Sequence, residues 1–211
     1  MDGGNALAKW LVNIEADIKE AERLIGDLAG KVIYNASKRA INKTAKLTQR
    51  RAVGSIGRIL ALKKGQLTKM IPIRPAKGKT TNALRAVITP IGTNLPLILF
   101  VKGSKTPENQ KGKKVSSRRK LRVEIRRGSS EERPRYFIQK SKFKHTLAGE
   151  YGVFQRTGKD RGRWKHQSIP GVTPHFLNIE DSLSSYAQKT VSERFVMEIR
   201  RLYLDRLRKT L

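Results

Sequence analysis

No cysteine occurs in the 211 residues. Disulfides and thiolate metal sites are thereby excluded, and a chain that folds in the reducing cytosol is the expectation. Histidine is scarce. His145, His166 and His175 stand alone, without the H-x-x-x-H or H-E-x-x-H spacing of a metal site, so no metal or cofactor is expected. Long apolar runs are missing too. The longest, 95–101, is about one strand in length and contains Pro96, far short of the roughly 20 residues a membrane helix needs. Residues 1–10 hold Asp2 and Lys9 and no apolar stretch of signal-peptide length. A soluble protein without membrane contact is expected. Apolar residues make up 37% of the chain, below the usual globular range, yet they gather into recognisable core segments.

Acidic residues are the most telling shortage. Only 17 Asp+Glu stand against 46 Lys+Arg, a formal charge of +29. The excess is uneven. Residues 102–127 carry eleven basic side chains and two acids, Glu108 and Glu124. Such a density repels itself unless a polyanion or an acidic surface lies against it.

Apolar residues at Leu7, Leu11, Ile14, Ile18, Ala21, Ile25 and Leu28 recur in steps of three or four, which predicts a helix over about 6–28. A second helix is predicted over 31–53. Its buried side is rich in Ala, so a close partner is expected; its other side carries Lys38, Arg39, Lys43, Lys46, Arg50 and Arg51. A loop containing Gly54 and Gly57 leads to a short helix over 63–70. Strands are predicted at 71–74, 83–90, 97–101, 121–127, 136–138 and 149–156, several with clean alternation. Two basic loops, 102–120 and 157–167, interrupt them. A long helix closes the sequence over 179–211, with Leu183, Ala187, Val191, Phe195, Ile199, Leu202, Leu204 and Leu207 on its apolar stripe. Helices, then antiparallel strands, then a helix predict one α+β domain over 1–211, an antiparallel sheet packed with N-terminal helices and a long C-terminal helix.

No catalytic constellation emerges. Glu180 and Asp181 are adjacent, but read better as acids at a helix N-terminus. The Ser pairs at 116–117 and 129–130 lack a nucleophile elbow, and Gly54 and Gly57 follow a helix rather than a strand, unlike a phosphate-binding loop. An enzyme is not expected. Basic stretches with aromatics nearby suit phosphate contact and base stacking. Tyr136, Phe137 and Phe154 fall in strand-like runs where core packing explains them. Trp164, between Arg163 and Lys165 in a glycine-rich loop, is the aromatic expected to be exposed. No helix-turn-helix, zinc-finger or RNA-recognition signature is present, so sequence-specific readout is not indicated. The electrostatic contacts expected with a partner or with DNA are Lys102, Lys105, Lys111, Lys113, Lys114, Arg118, Arg119 and Lys120 in the first loop, and Arg161, Arg163 and Trp164 in the second.

The order of motifs resembles a known family. Ala36-Ser-Lys-Arg-Ala-Ile-Asn-Lys-Thr-Ala45 is similar to an early A–x–A–x–N–x–T–A helix of tail completion proteins. Leu62-Lys-Lys-Gly-Gln-Leu-Thr-Lys-Met70, Ala83-Leu-Arg-Ala-Val-Ile88, Asn94-Leu-Pro-Leu-Ile-Leu-Phe100 and Leu121-Arg-Val-Glu-Ile125 follow in order. Tyr136-Phe-Ile138, Gly152-Val-Phe-Gln-Arg156 and Ser168-Ile-Pro-Gly-Val-Thr-Pro174 complete the pattern. Over about 32–200 the chain resembles the minor tail protein Z family of lambda-like phages and prophages. The resemblance implies a structural virion protein without catalytic residues. It would complete the head-proximal end of a tail, prepare it for head joining and position the DNA end. Its implied neighbours are the terminator, the tube or the tape-measure end. A homo-oligomeric ring in the virion neck, assembly in the host cytoplasm and nonspecific contact with phage DNA are likewise implied. A nonspecific nucleic-acid-binding protein is the alternative reading of the charge.

Overall fold

The computed structural model describes residues 12–14, 30–103, 121–145, 149–157 and 164–210. The fold is α+β, and every strand pair is antiparallel. The backbone gathers into two compact units, each built from separated stretches of a sequence that reads as one domain. One unit comprises Met1–Val53, Thr68–Ile91 and His175–Leu211; the other comprises Gly54–Leu67 and Gly92–Pro174.

The dominant element of the first unit is α1 (Gly30–Ile59), a helix whose 30 residues span about 45 Å at 1.5 Å rise; its residues through Val53 belong to this unit and those from Gly54 to the second. Its buried side carries small residues, as the sequence predicts: Ala36, Ser37, Ala40, Thr44, Ala45, Thr48 and Ala52 are all fully buried. Small side chains let neighbouring backbone come close. Three longer α1 side chains at intervals of seven or eight then bind the backbone of the passing chain. Tyr34 donates to the Gly78 carbonyl at 2.8 Å, Asn42 accepts from the Ala76 N–H at 2.8 Å, and Gln49 donates to the Ile71 carbonyl at 2.6 Å. The helix was expected to stop near residue 53. Instead it runs through Gly54 and Gly57. Each glycine costs a helix about 1 kcal/mol, but Ile56 between them and Leu60 beyond them are buried, and a Cβ on Gly57 would stand only 3.3 Å from Leu67. Gly57 makes room for a core leucine and does not end the helix.

The short helix α2 (Lys64–Met70) lies where the sequence places it. A three-stranded sheet belongs to the first unit. Its central strand β3 (Arg85–Ile88) buries Ala86 and Ile88 and exposes Arg85, the alternation read from sequence. β2 (Ile73–Lys77) is an edge strand displaced from the expected 71–74. Its register shifts between Arg74 and Lys77, where Pro75 has no N–H to give. β1 (Val12–Ile14) corrects the helix expected over 6–28. Val12 pairs with Ile88 and Ile14 with Ala86, so this stretch is extended, and it lies against α4 (Glu180–Thr210). β-branched residues at 12 and 14 suit the open edge of β3. The rest of that expected helix lies outside the described residues.

α4 begins with Glu180 and Asp181 in its first turn, favourable at the positive end of the helix dipole. It runs antiparallel to α1, linked by the Lys43–Glu198 ion pair and by Arg51, whose guanidinium lies 4.6 Å from the Tyr186 ring centre. Its buried stripe is Leu183, Ala187, Val191 and Phe195, with Glu198 below them. Leu204, expected on this stripe, is 46% exposed and belongs with Val196, Met197 and Tyr203 on the opposite side.

In the second unit, β4 (Leu95–Pro96) pairs with β10 (Ser168–Ile169), and β5 (Leu121–Val123) with β6 (Glu131–Arg133). β5 is shorter than the expected 121–127; at its end and beyond, pairing with other segments is by isolated antiparallel bridges, Val123 with Val101, where the Glu124 N–H donates to the Phe100 carbonyl at 2.9 Å, and Arg126 with Leu60. The strand expected over 97–101 is a 3₁₀ turn, Leu97–Phe100. Every residue of that turn is apolar and buried, so no alternation exists to enforce an extended chain. The remaining sheet is β7 (Tyr136–His145), β8 (Gly149–Arg156) and β9 (Trp164–His166), in that order. β9 replaces part of the loop expected over 157–167. A short helix, α3 (Thr173–Leu177), begins at the end of this unit's sequence, and its fully buried Phe176 belongs to the first unit.

Candidate polyanion-binding surfaces

Of the eleven contact residues expected from sequence, Lys102 and Trp164 are described. Lys105, Lys111, Lys113, Lys114, Arg118, Arg119, Lys120, Arg161 and Arg163 lie outside the described residues.

Lys102 is exposed but not idle. Its ammonium sits 2.5 Å from the Glu124 carboxylate. That hydrogen bond, together with one from the Gly128 N–H and the charge of Arg127, holds the Glu124 carboxyl below the usual glutamate range, against a smaller opposing effect of burial. Part of the Lys102 charge is thus answered within the fold.

A larger cationic surface lies on α1. The helix contains eight Lys and Arg and no acid. At 100° per residue, Asn35, Lys38, Arg39, Asn42, Lys46 and Arg50 fall within about a third of its circumference. Arg39, Lys46 and Arg50 are exposed and pair with no acid among the described residues. An open groove of about 350 Å³ is lined by Asn35, Lys38, Arg39, Asn42, Lys43 and Lys46. The Ala76 N–H occupies the Asn42 Oδ1, so the amide presents its NH₂ as donor. Lys and Arg heads donate only. The groove therefore offers hydrogen-bond donors and positive charge, the chemistry of a phosphate or carboxylate receptor. Lys43 stands apart, because its ammonium is taken by Glu198, whose side chain is 4% exposed. Sequence reading found this basic side but gave it no role. The signal available was the absence of any acid over thirty residues.

The second surface centres on Trp164. It stands in β9 and is 43% exposed. Its ring meets Phe154 edge to face, 4.6 Å between centres at 82°. His166 packs on the same Phe154 ring at 5.2 Å, and Phe137 at 6.0 Å. The exposure expected of Trp164 is present, but on a strand.

Among the described residues no group of three or more His, Asp or Glu could hold a metal ion, and no helix is long and apolar enough to cross a membrane. No protein-family model matches this chain, and no curated protein or solved structure matches it significantly.

Proposed function

We propose that this chain is a non-catalytic structural protein of a tailed-phage virion. It completes the head-proximal end of the tail, readies it for head joining and sits near the DNA end. The observation that carries the reading is the acid-free cationic face of α1, on which Asn42 also presents its NH₂ as donor. A chain at +29 with such a face is tolerable beside a polyanion or acidic neighbours, and DNA inside a ring of subunits provides the polyanion. The ordered motifs over about 32–200 support the particular place in the tail. The partners in this reading are the terminator, the tube or tape-measure end, further copies of the chain, and the phosphate backbone of phage DNA. Its location is the virion neck, reached from the host cytoplasm during assembly.

The test is deletion of the gene in a phage or prophage that encodes it. Full-length tails that fail to join DNA-filled heads are expected, with the tagged protein at the head-proximal tail end by immunogold labelling. Reversing Lys113, Lys114, Arg118 and Arg119 to Glu is expected to reproduce the joining defect. Normal joining in the deletion strain overturns the proposal. The same α1 face also favours a second reading, a nonspecific nucleic-acid-binding protein free of any particle. Duplex binding with a steep salt dependence, in a strain whose purified particles lack the protein, selects that reading.

A further inference from the structure

We propose that the Trp164–His166 face of the β7–β9 sheet is a stacking site for unpaired bases of single-stranded DNA. This rests on the nucleic-acid contact in the reading above and gives it a location and a chemistry. Phe137, Phe154 and His166 are directly opposite one another across three strands, so their side chains share one face. Trp164, two residues from His166, is on that face too. Ile138 and Val153 lie on the other face and are 5% and 0% exposed. The aromatic cluster is therefore separate from the core that the sheet covers.

Phe154 is 3% exposed, enclosed by the other three rings. Gly152 explains how His166 fits. A Cβ there would come within 2.9 Å of the imidazole, so the ring rests on bare backbone. The result is a braced pair of exposed rings, Trp164 and His166, on a rigid ladder instead of a loop. A packing role needs Phe154 covered; it does not require an indole left 43% in solvent. The chain's net charge of +29 favours a nucleic acid over an apolar protein partner. On β9, an edge strand, Lys165 is exposed, turned by alternation to the other face from Trp164 and His166, and the backbone of Arg156 pairs with that of Trp164. The one acid of β8, Glu150, sits at the far end of the strand beside Lys140 at 3.4 Å. Aromatic faces stack bases of any sequence while neighbouring cations follow the phosphates.

The experiment uses the full chain with Trp10→Phe, which leaves Trp164 as the single tryptophan. It is titrated with oligo(dT), with an abasic strand of equal length, and with duplex. Expected is saturable quenching of Trp164 fluorescence by oligo(dT), with binding to the abasic strand several-fold weaker at equal phosphate number. Trp164→Ala, followed by anisotropy of labelled strands, is expected to weaken oligo(dT) binding about 5- to 150-fold, the range for loss of one stacked base. Its salt slope stays unchanged, because no phosphate contact is lost. His166→Ala gives a smaller loss in the same direction and covers the case in which Trp164→Ala misfolds. Equal binding and quenching by abasic and base-bearing strands overturns the proposal. Duplex binding through α1 that persists while that comparison fails leaves the functional reading standing and removes only the stacking site. Loss of binding to every strand removes both.

Discussion

Neutralising the α1 face provides the sharpest quantitative test of where the charge acts. The variant is Lys38→Gln, Arg39→Gln, Lys46→Gln and Arg50→Gln; Lys43 is spared because it holds Glu198. The four positions span about 18 Å of helix at 1.5 Å per residue, enough to follow several phosphates of one strand. Each lost phosphate contact lowers the slope of log affinity against log salt by about 0.9 for duplex DNA, so four lost contacts lower it by about 3.6. Between about 50 and 200 mM salt, a slope difference of that size corresponds to roughly 150-fold in affinity, which is the extra loss expected of the unsubstituted protein. The assay is fluorescence anisotropy of a short labelled duplex over that range. The control removes four exposed charges elsewhere in the same unit, Lys69, Lys77, Arg74 and Arg85. An unchanged slope is expected of it. Equal slopes in variant and control would refute the reasoning, since attraction would then follow net charge and not the α1 face.

Two further outcomes follow from ion pairs. Lys43→Ala leaves the Glu198 carboxylate buried and alone, a loss of about 2 kcal/mol or more. For a chain of this size that lowers Tm by about 5 °C or more, and Lys43→Ala with Glu198→Met recovers most of it; a Lys43→Ala melt within a degree of the parent contradicts the pair's role. The Glu124 carboxyl titrates below an ordinary glutamate, so its pairing stabilises the fold fully above the ordinary glutamate pKa and the contribution fades as pH falls below about 4. NMR of the carboxyl carbon should show its titration moving up in Lys102→Ala, and an unmoved titration removes Lys102 as the cause.

Periodicity read the elements well where one face is buried and the other wet. β3 and α4 carry that contrast, and both lie where the sequence places them. It misled at 97–101, where every residue is apolar and buried and no contrast exists. At 12–14 a helical spacing of apolar residues competed with an open strand edge, and tertiary pairing decided the outcome. Gly54 and Gly57 read as punctuation; the packing partner of Gly57, Leu67, is invisible without coordinates. At the candidate surfaces, Trp164 was legible as exposed. Its bracing by Phe154 and His166 depends on cross-strand register, which a one-dimensional reading does not contain. The donor-outward turn of Asn42 depends in the same way on Ala76, 34 positions away.

The segmented build of the first unit has a consequence for synthesis. Met1–Val53 share a unit with His175–Leu211, so α1 leaves the ribosome long before α4 exists to receive it. At about 5–20 residues per second, the 121 residues between those stretches take roughly 6–24 seconds to make. Throughout that interval the most cationic helix is a nascent chain emerging beside ribosomal RNA, with Glu198, the buried partner of Lys43, not yet made. Trapping on that RNA, and its relief by a polyanion or a chaperone, is a hazard that belongs to the order of translation and not to the finished fold.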